Sequence, residues 1–188
     1  MIKLDIGCGP HGSLWPGFTG VDAQPRQSEQ GEPDFVQLDF LTDALPWAPG
    51  TVDTILLFHI VEHMRRDQGL ELLKRAISIL KPGGKLWVTT PDLRKLCSAY
   101  LNDDGMLLKQ TPNGAYQWPG ETLADRLNWA LHPSRVNVSP YSRHIWIYDV
   151  ESLTLLAKEA GATDIASADG SVYNKRPEHE CGIVITKV

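Results

Sequence analysis

The stretch Leu4-Asp5-Ile6-Gly7-Cys8-Gly9-Pro10-His11-Gly12 decides how the rest of this chain is read. A short strand carrying one acid, Asp5, runs straight into three closely spaced glycines, Gly7, Gly9 and Gly12. Without Cβ atoms, such a loop lets backbone N–H groups approach a ligand where any side chain would collide. Small-molecule binding is the first expectation. The glycine spacing fits the dinucleotide fingerprint G-x-G-x-x-G, but that mechanism needs a helix starting inside the loop so that its N-terminus faces a pyrophosphate. Ser13-Leu14-Trp15-Pro16-Gly17 is too short and too broken by Pro16 and Gly17 to propagate one. Asp22 also arrives sooner than the acid about 20 residues on that the fingerprint expects. A nicotinamide or flavin dinucleotide is therefore disfavoured.

Outward from this loop, Ile2, Leu4 and Ile6 alternate with Lys3 and Asp5, the pattern of a half-buried strand with one undercovered face. The link to the next strand, which ends in Gly20-Val21-Asp22, is read as about eight residues, below the dozen or so of a helical parallel crossover. The segment from Ala23 to Pro33 is polar, holds Pro25 and Pro33, and lacks apolar periodicity. The helical layer over this half of the sheet is therefore expected to be missing or reduced. Phe35, Val36 and Leu38 form a short third strand ending at Asp39, and Ile55-Leu56-Leu57-Phe58 is a continuous apolar run suited to burial on both faces. Leu70, Leu73, Ile77 and Leu80 recur at helical spacing, which predicts a helix over 67–80 with Asp67 as N-cap and Pro82-Gly83-Gly84 as its stop. Lys85 to Thr90 reads as the fifth strand, and the alternation of strand and helix argues a parallel sheet with crossover helices.

Leu93 to Leu101 reads as a helix with Leu93, Leu96, Tyr100 and Leu101 inward. Beyond it, the stretch to Arg143 is rich in turn formers and interleaved with Tyr116, Trp118, Trp129 and Tyr141, with a helix only from about Glu121 to Leu131. An insertion at about 94–143 of this composition is either a lid and substrate platform or a cover for the exposed sheet face. Asp149 is a good N-cap for a helix carrying Val150, Leu153, Leu156 and Ala157 and ended by Gly161. Thr163–Ala168 and Gly182–Lys187 read as the last two strands, joined by the polar hairpin Ser171–Glu180.

Composition bounds these readings. A chain of 188 residues, 42% hydrophobic and 22% charged, fits one well-cored domain and contains no apolar run of the roughly 20 residues a membrane span needs. The strand at Met1 to Asp5 leaves no room for a signal peptide, and three widely spaced cysteines, Cys8, Cys97 and Cys181, suit reduced thiols, so cytoplasmic residence is expected. A net charge of −5 argues against broad attraction to nucleic acid or anionic membrane.

More of the chain then falls into one pattern. Asp5-Ile6-Gly7-Cys8-Gly9, Gly20-Val21-Asp22, Leu38-Asp39-Phe40, the run from Val52 to Met64 and the run from Leu80 to Leu93 resemble, in order, the strand motifs of class I S-adenosylmethionine-dependent methyltransferases. The resemblance is closest to a bacterial branch carrying H-x-x-E-H after the fourth strand and KPGG before the fifth. His11 stands where that superfamily usually has its third glycine, with Gly12 displaced by one. The resemblance implies an α/β fold, a Rossmann-like, doubly wound, mostly parallel seven-stranded sheet with an antiparallel last strand. It also implies S-adenosylmethionine as cofactor, with Gly7 and Gly9 beside its methionine part, Asp22 on the ribose hydroxyls, Asp39 on the adenine amino group and Phe40 beside the adenine. Cys8 belongs to the same loop, and Asp5 braces that loop or meets the cofactor ammonium. Turn capping by Asp22 and Asp39 is the plainer alternative.

His59, Glu62 and His63 form H-x-x-E-H, the zinc string of inverted zinc proteases, but that mechanism wants both histidines on one helix face and His59 directly ends a strand. The preferred reading uses no metal: His59 lies near the transferring methyl, and His59 or His144 removes a proton from an oxygen or nitrogen nucleophile. The expected activity is methyl transfer to a small-molecule or sugar-like acceptor, without nucleic acid or membrane. One alternative is a metal-assisted RNA ribose methyltransferase. Small-RNA 3′-terminal ribose methyltransferases carry a related Glu and His cluster, which His132 or His144 could complete here. The other is a protein that binds the cofactor without turnover. Either the insertion or a second copy of the chain is expected to cover the exposed sheet face.

Overall fold

A computed structural model describes residues 1–13, 15–27, 34–102, 105, 107, 118–133, 143–168 and 178–188. Its strands are β1 (Lys3–Ile6), β2 (Thr19–Asp22), β3 (Phe35–Gln37), β4 (Val52–Phe58), β5 (Leu80–Pro91), β6 (Asp164–Ser167) and β7 (Glu180–Thr186). They form one seven-stranded sheet of order β3-β2-β1-β4-β5-β7-β6. Pairing is parallel from β3 through β5, and β7 runs antiparallel to both β5 and β6. The strand order reverses between β1 and β4, and in open sheets of this kind the ligand crevice lies at the carboxyl ends of the strands at such a switch point.

Four helices accompany the sheet: α1 (Arg66–Ile79), α2 (Leu93–Leu101), α3 (Leu123–Leu131) and α4 (Val150–Glu159). Leu72, Leu73, Ala76 and Ile77 of α1 and Leu153, Leu156 and Ala157 of α4 are buried with Ile55, Leu57, Leu86 and Val88 in the principal core. Truncating such a fully buried leucine to alanine costs about 2–5 kcal/mol, so this face of the sheet carries most of the stability. The links β1–β2, β2–β3 and β3–β4 hold no helix among the described residues, as the sequence predicts. The first link spans 7–18, longer than the eight residues read from the sequence, because β2 begins only at Thr19. Its second half folds over the opposite face of the sheet, where Phe18 is buried and Trp15 meets Phe58 edge to face at 5.7 Å. Asp5 is therefore buried rather than on an undercovered face, whereas Trp87, Val184 and Ala166, aligned across β5, β7 and β6, stay half-buried or exposed.

Three local readings are corrected. The N-cap of α1 is Arg65, not Asp67: the Gln68 side chain accepts from the Arg65 N–H and Asp67 sits in the first turn, paired with Arg65. Pro82-Gly83-Gly84 does not stop the helix, which ends at Ile79; those residues belong to the irregular start of β5, where pairing with β4 shifts register. On α2, Leu96 and Ala99 face inward, while Leu93, Tyr100 and Leu101 are exposed, as is Val150 on α4. Leu96 and Ala99 pack with Ala130 of α3 and Leu107 in a second, smaller core. The described part of the insertion thus has its own cluster. Tyr116, Tyr141 and most of the 171–180 hairpin lie outside the described residues.

Candidate active site

The glycine loop is built by close approach. Gly7 has φ +75°, its N–H donates to Val21 O at 2.7 Å, and a Cβ there would stand 2.4 Å from Ile60 Cδ1. The loop also lies on β2: a Cβ at Gly20 would be 2.8 Å from both Cys8 Sγ and Ser13 N. Gly9, at φ +79°, faces open space instead. Burial pushes the Asp5 carboxyl up to about 6, partly offset by its hydrogen bond with Ser13, so Asp5 braces the loop from below. The Cys8 side chain turns toward β2 and its thiol is pushed up to about 12 by burial and by the charges of Asp5 and Asp22.

Asp22 ends β2 and clamps the loop, its Oδ2 accepting from Gly9 N–H at 2.8 Å and its Oδ1 from Gln24 N–H at 2.8 Å. A carboxylate offers about four acceptor positions, so each oxygen keeps capacity for a hydroxyl donor after holding one backbone group. Leu38 N–H donates to Asp22 O, which sets Asp39 beside the end of β2, and Asp39 Oδ1 accepts from Leu41 N–H in its own turn. Both carboxylates therefore do the turn work of the plainer alternative, with lone pairs to spare. Phe40 is buried in the principal core, which leaves its backbone rather than its ring to border a ligand. The bend is closed by Ile60 on the Gly7 side and open at Gly9, and that open side with a clamped carboxylate beside it fits an adenosyl ligand with an amino-acid tail.

His59 follows β4, and its N–H donates to Thr89 O of β5 at 3.0 Å. Among the described residues it is the one non-glycine with positive φ, +54°, a conformation that a packed surrounding must hold in place. Both ring nitrogens are engaged: Nδ1 lies 3.0 Å from Glu62 Oε1 and Nε2 2.7 Å from Glu180 Oε1. Burial alone would lower the imidazole's pKa, but the two carboxylates outweigh it and raise it to about 9, so His59 is an imidazolium at neutral pH. Glu62 is fully buried; burial pushes it up, yet His59 holds it below the usual carboxylate range. Its Oε2 accepts from Thr90 Oγ1 at 3.2 Å. Glu180, paired in register with Pro91 across β5 and β7, is the partner sequence reasoning missed.

Beside His59 lies a cavity of about 380 Å³ bordered by Leu96, Trp118, Trp129, His144 and His179, drawing its walls from the insertion and the end of β5. Its lining includes His59 and His144 but not Gly7, Gly9, Asp22 or Asp39. Ile60, next to His59 in the chain, packs against Gly7 on the side where a Cβ would stand. Burial lowers the His144 pKa below its ordinary value, outweighing the Glu62 charge and the Ala130 carbonyl 3.1 Å from Nδ1, which both raise it. His132 Nδ1 is 3.3 Å from His144 O.

A seven-stranded 3-2-1-4-5-7-6 sheet with β7 reversed and a glycine bend after β1 defines the Rossmann-like class I methyltransferase architecture. The chain belongs to the methyltransferase domain family, whose model matches residues 2–167, and it is an S-adenosylmethionine-dependent methyltransferase domain. A ubiquinone biosynthesis O-methyltransferase from Caulobacter vibrioides is 28% identical over 134 residues, 63% of this chain and 52% of that protein. This chain thus spans about half the length of that relative. Among solved structures, a SAM-dependent methyltransferase from Archaeoglobus fulgidus superposes with TM-score 0.55 at 16% identity, covering 98% of this chain and 85% of that one. Human N-acetylserotonin methyltransferase in complex with SAM gives 0.57 at 20% identity, covering 99% and 47%. At these identities the likeness speaks to the fold. No described helix is long and apolar enough to cross a membrane.

Proposed function

We propose that this domain transfers the methyl group of S-adenosylmethionine to an oxygen or nitrogen of a small-molecule or sugar-like acceptor held in the cavity beside His59 and His144. Two observations support the reading: Asp22 clamps the bend at Gly9, whose Cβ side is open, and a cavity begins at His59, one residue before the Ile60 that packs on Gly7. The cofactor supplies an electrophilic methyl on a sulfonium; the chain positions it, excludes water and handles charge. Asp22 takes the ribose hydroxyls and Asp39 the adenine amino group, with the Phe40 backbone beside the ring. Gly7 and Gly9 admit the methionine part, Asp5 shapes the bend through Ser13, and Cys8 fills the space beneath it. His59 has both nitrogens bound and its proton held to about 9, so it contributes fixed positive charge rather than basicity. Proton removal from the acceptor belongs to the neutral His144 corner. Trp118 and Trp129 offer flat faces on which an aromatic ring or the apolar face of a sugar stacks, and the insertion acts as the lid. A second copy of the chain is the candidate cover for the sheet face around Trp87 and Val184.

Titration calorimetry with S-adenosylhomocysteine tests the cofactor half. Binding by the unaltered chain and its loss in Asp22→Ala support the reading; absence of binding, or equal binding by the variant, overturns it. Release of S-adenosylhomocysteine from S-adenosylmethionine across a panel of phenols, amines and sugars then separates an enzyme from a binding protein.

A further inference from the structure

We infer that Glu62, His63 and His144 form a site for a divalent first-row transition ion on the wall of the acceptor cavity. One ligand atom from each lies within 4.8 Å of the other two. Donors at about 2.1 Å from a tetrahedral ion stand roughly 3.4 Å apart, so side-chain movements of about 1.5 Å or less close the site.

The ring tautomers are already set for this. His63 Nδ1 lies 3.0 Å from the carbonyl of Arg143, and His144 Nδ1 lies 3.1 Å from the carbonyl of Ala130. A carbonyl only accepts, so each Nδ1 carries the proton and each Nε2 keeps its lone pair. Metal-binding histidines use this arrangement, the far nitrogen donating to a carbonyl that fixes the ring. The two segments that carry the donors are stitched together as well: the N–H groups of Ile145 and Trp146 both donate to Glu62 O, at 2.6 and 3.2 Å. Glu62 is fully buried, with Oε1 against His59 and Oε2 accepting from Thr90, and would share its carboxylate between His59 and the ion through its remaining lone pairs. Two imidazoles and one carboxylate suit Zn²⁺, Mn²⁺, Fe²⁺, Co²⁺ or Ni²⁺ better than the all-oxygen preference of Mg²⁺ or Ca²⁺. His132 hydrogen-bonds the His144 carbonyl and supports the segment rather than joining the donors.

This departs from the metal-free reading preferred from the sequence. Because His144 lines the cavity, an ion here stands at the acceptor's edge, where a Lewis acid acidifies a hydroxyl. With the ion bound, His144 would be a ligand rather than a base, and the ion would lower the pKa of an acceptor hydroxyl whose proton passes to solvent water. The site rests on side-chain geometry and not on the methyl-transfer reading, so the two can fail separately.

Chelator-stripped protein titrated with Co²⁺, followed by its visible absorption, should bind one equivalent. His63→Ala and His144→Ala should each weaken binding by more than the roughly 10–100-fold that loss of an outer partner costs, and His132→Ala should change it little. Circular dichroism identifies any variant that fails to fold, and His63→Gln, at a half-exposed position, then serves in its place. No saturable binding up to roughly 1 mM, a range that corresponds to about −4 kcal/mol, or undiminished binding in the His63/His144 variants overturns the site. S-adenosylhomocysteine binding by the same stripped protein, measured in parallel, tells loss of the metal site from loss of the cofactor reading.

Discussion

His59 keeps a proton because acids from two distant parts of the chain hold both of its nitrogens. Its folded pKa of about 9 exceeds the ordinary imidazole value of 6.5, so its contribution to stability is complete below about pH 6.5 and is lost as pH rises through about 9. In an NMR titration the His59 ring should remain protonated to about pH 8 and titrate near 9, and Glu180→Gln should move that midpoint down toward the ordinary value; an unshifted midpoint would remove Glu180 from the account. Asp5 follows the same sign from a different cause, burial of an acid rather than pairing of a base. Its folded pKa of about 6 lies above the ordinary aspartate value of 3.8, so any stability it contributes is present below about pH 3.8 and gone above about pH 6. Asp5→Asn should therefore raise stability at pH 8 by no more than about 3 kcal/mol and leave it unchanged near pH 3.5, read by denaturant melts at both. The sequence could put Asp22, Asp39 and His59 at strand ends, and the structure has Asp22 ending β2, Asp39 two residues past β3 and His59 directly after β4. Glu180 was not legible: its role depends on β7 entering beside β5, a pairing that no local pattern announces.

At the scale of elements, the bend after β1 separates two kinds of glycine. Gly7→Ala brings a Cβ to 2.4 Å from Ile60 and adds left-handed strain, whereas Gly9→Ala adds the strain alone. Melting should accordingly show Gly9→Ala costing about 1–2 kcal/mol and Gly7→Ala more. The Gly9 methyl, entering the open side of the bend, should also weaken S-adenosylhomocysteine binding in calorimetry. The helices teach a related lesson. Leu70, Leu73 and Ile77 marked α1 correctly, but a side-chain cap from Gln68 and a strand that begins before Pro82 shifted both of its ends, since caps and register follow from neighbours rather than from composition. On α2 apolar residues occupy more than one face, and only contact with α3 selects Leu96 and Ala99 as the inner pair.

The whole molecule divides its stability between a large core under α1 and α4 and a small one between α2 and α3. Elements with few buried apolar contacts open first. Hydrogen exchange should therefore find amides of α2 and α3 exchanging well before those of β4 and β5, with an acceptor, more than the cofactor alone, slowing them. Uniform exchange across both clusters would deny the insertion its role as a separate lid. The fold class, a mostly parallel seven-stranded sheet with a reversed last strand, was readable through the family resemblance of five strand motifs; the fate of the insertion was not, because its aromatics serve equally well as a plug or as a pocket wall. Inserting β7 between β5 and β6 has one more consequence. Any partly folded chain whose central strands have formed without it leaves the imidazole after β4 with one acid instead of two, so the site acquires its full electrostatic character only on completion of the sheet. Protonation at that ring is thus a built-in report that assembly has finished.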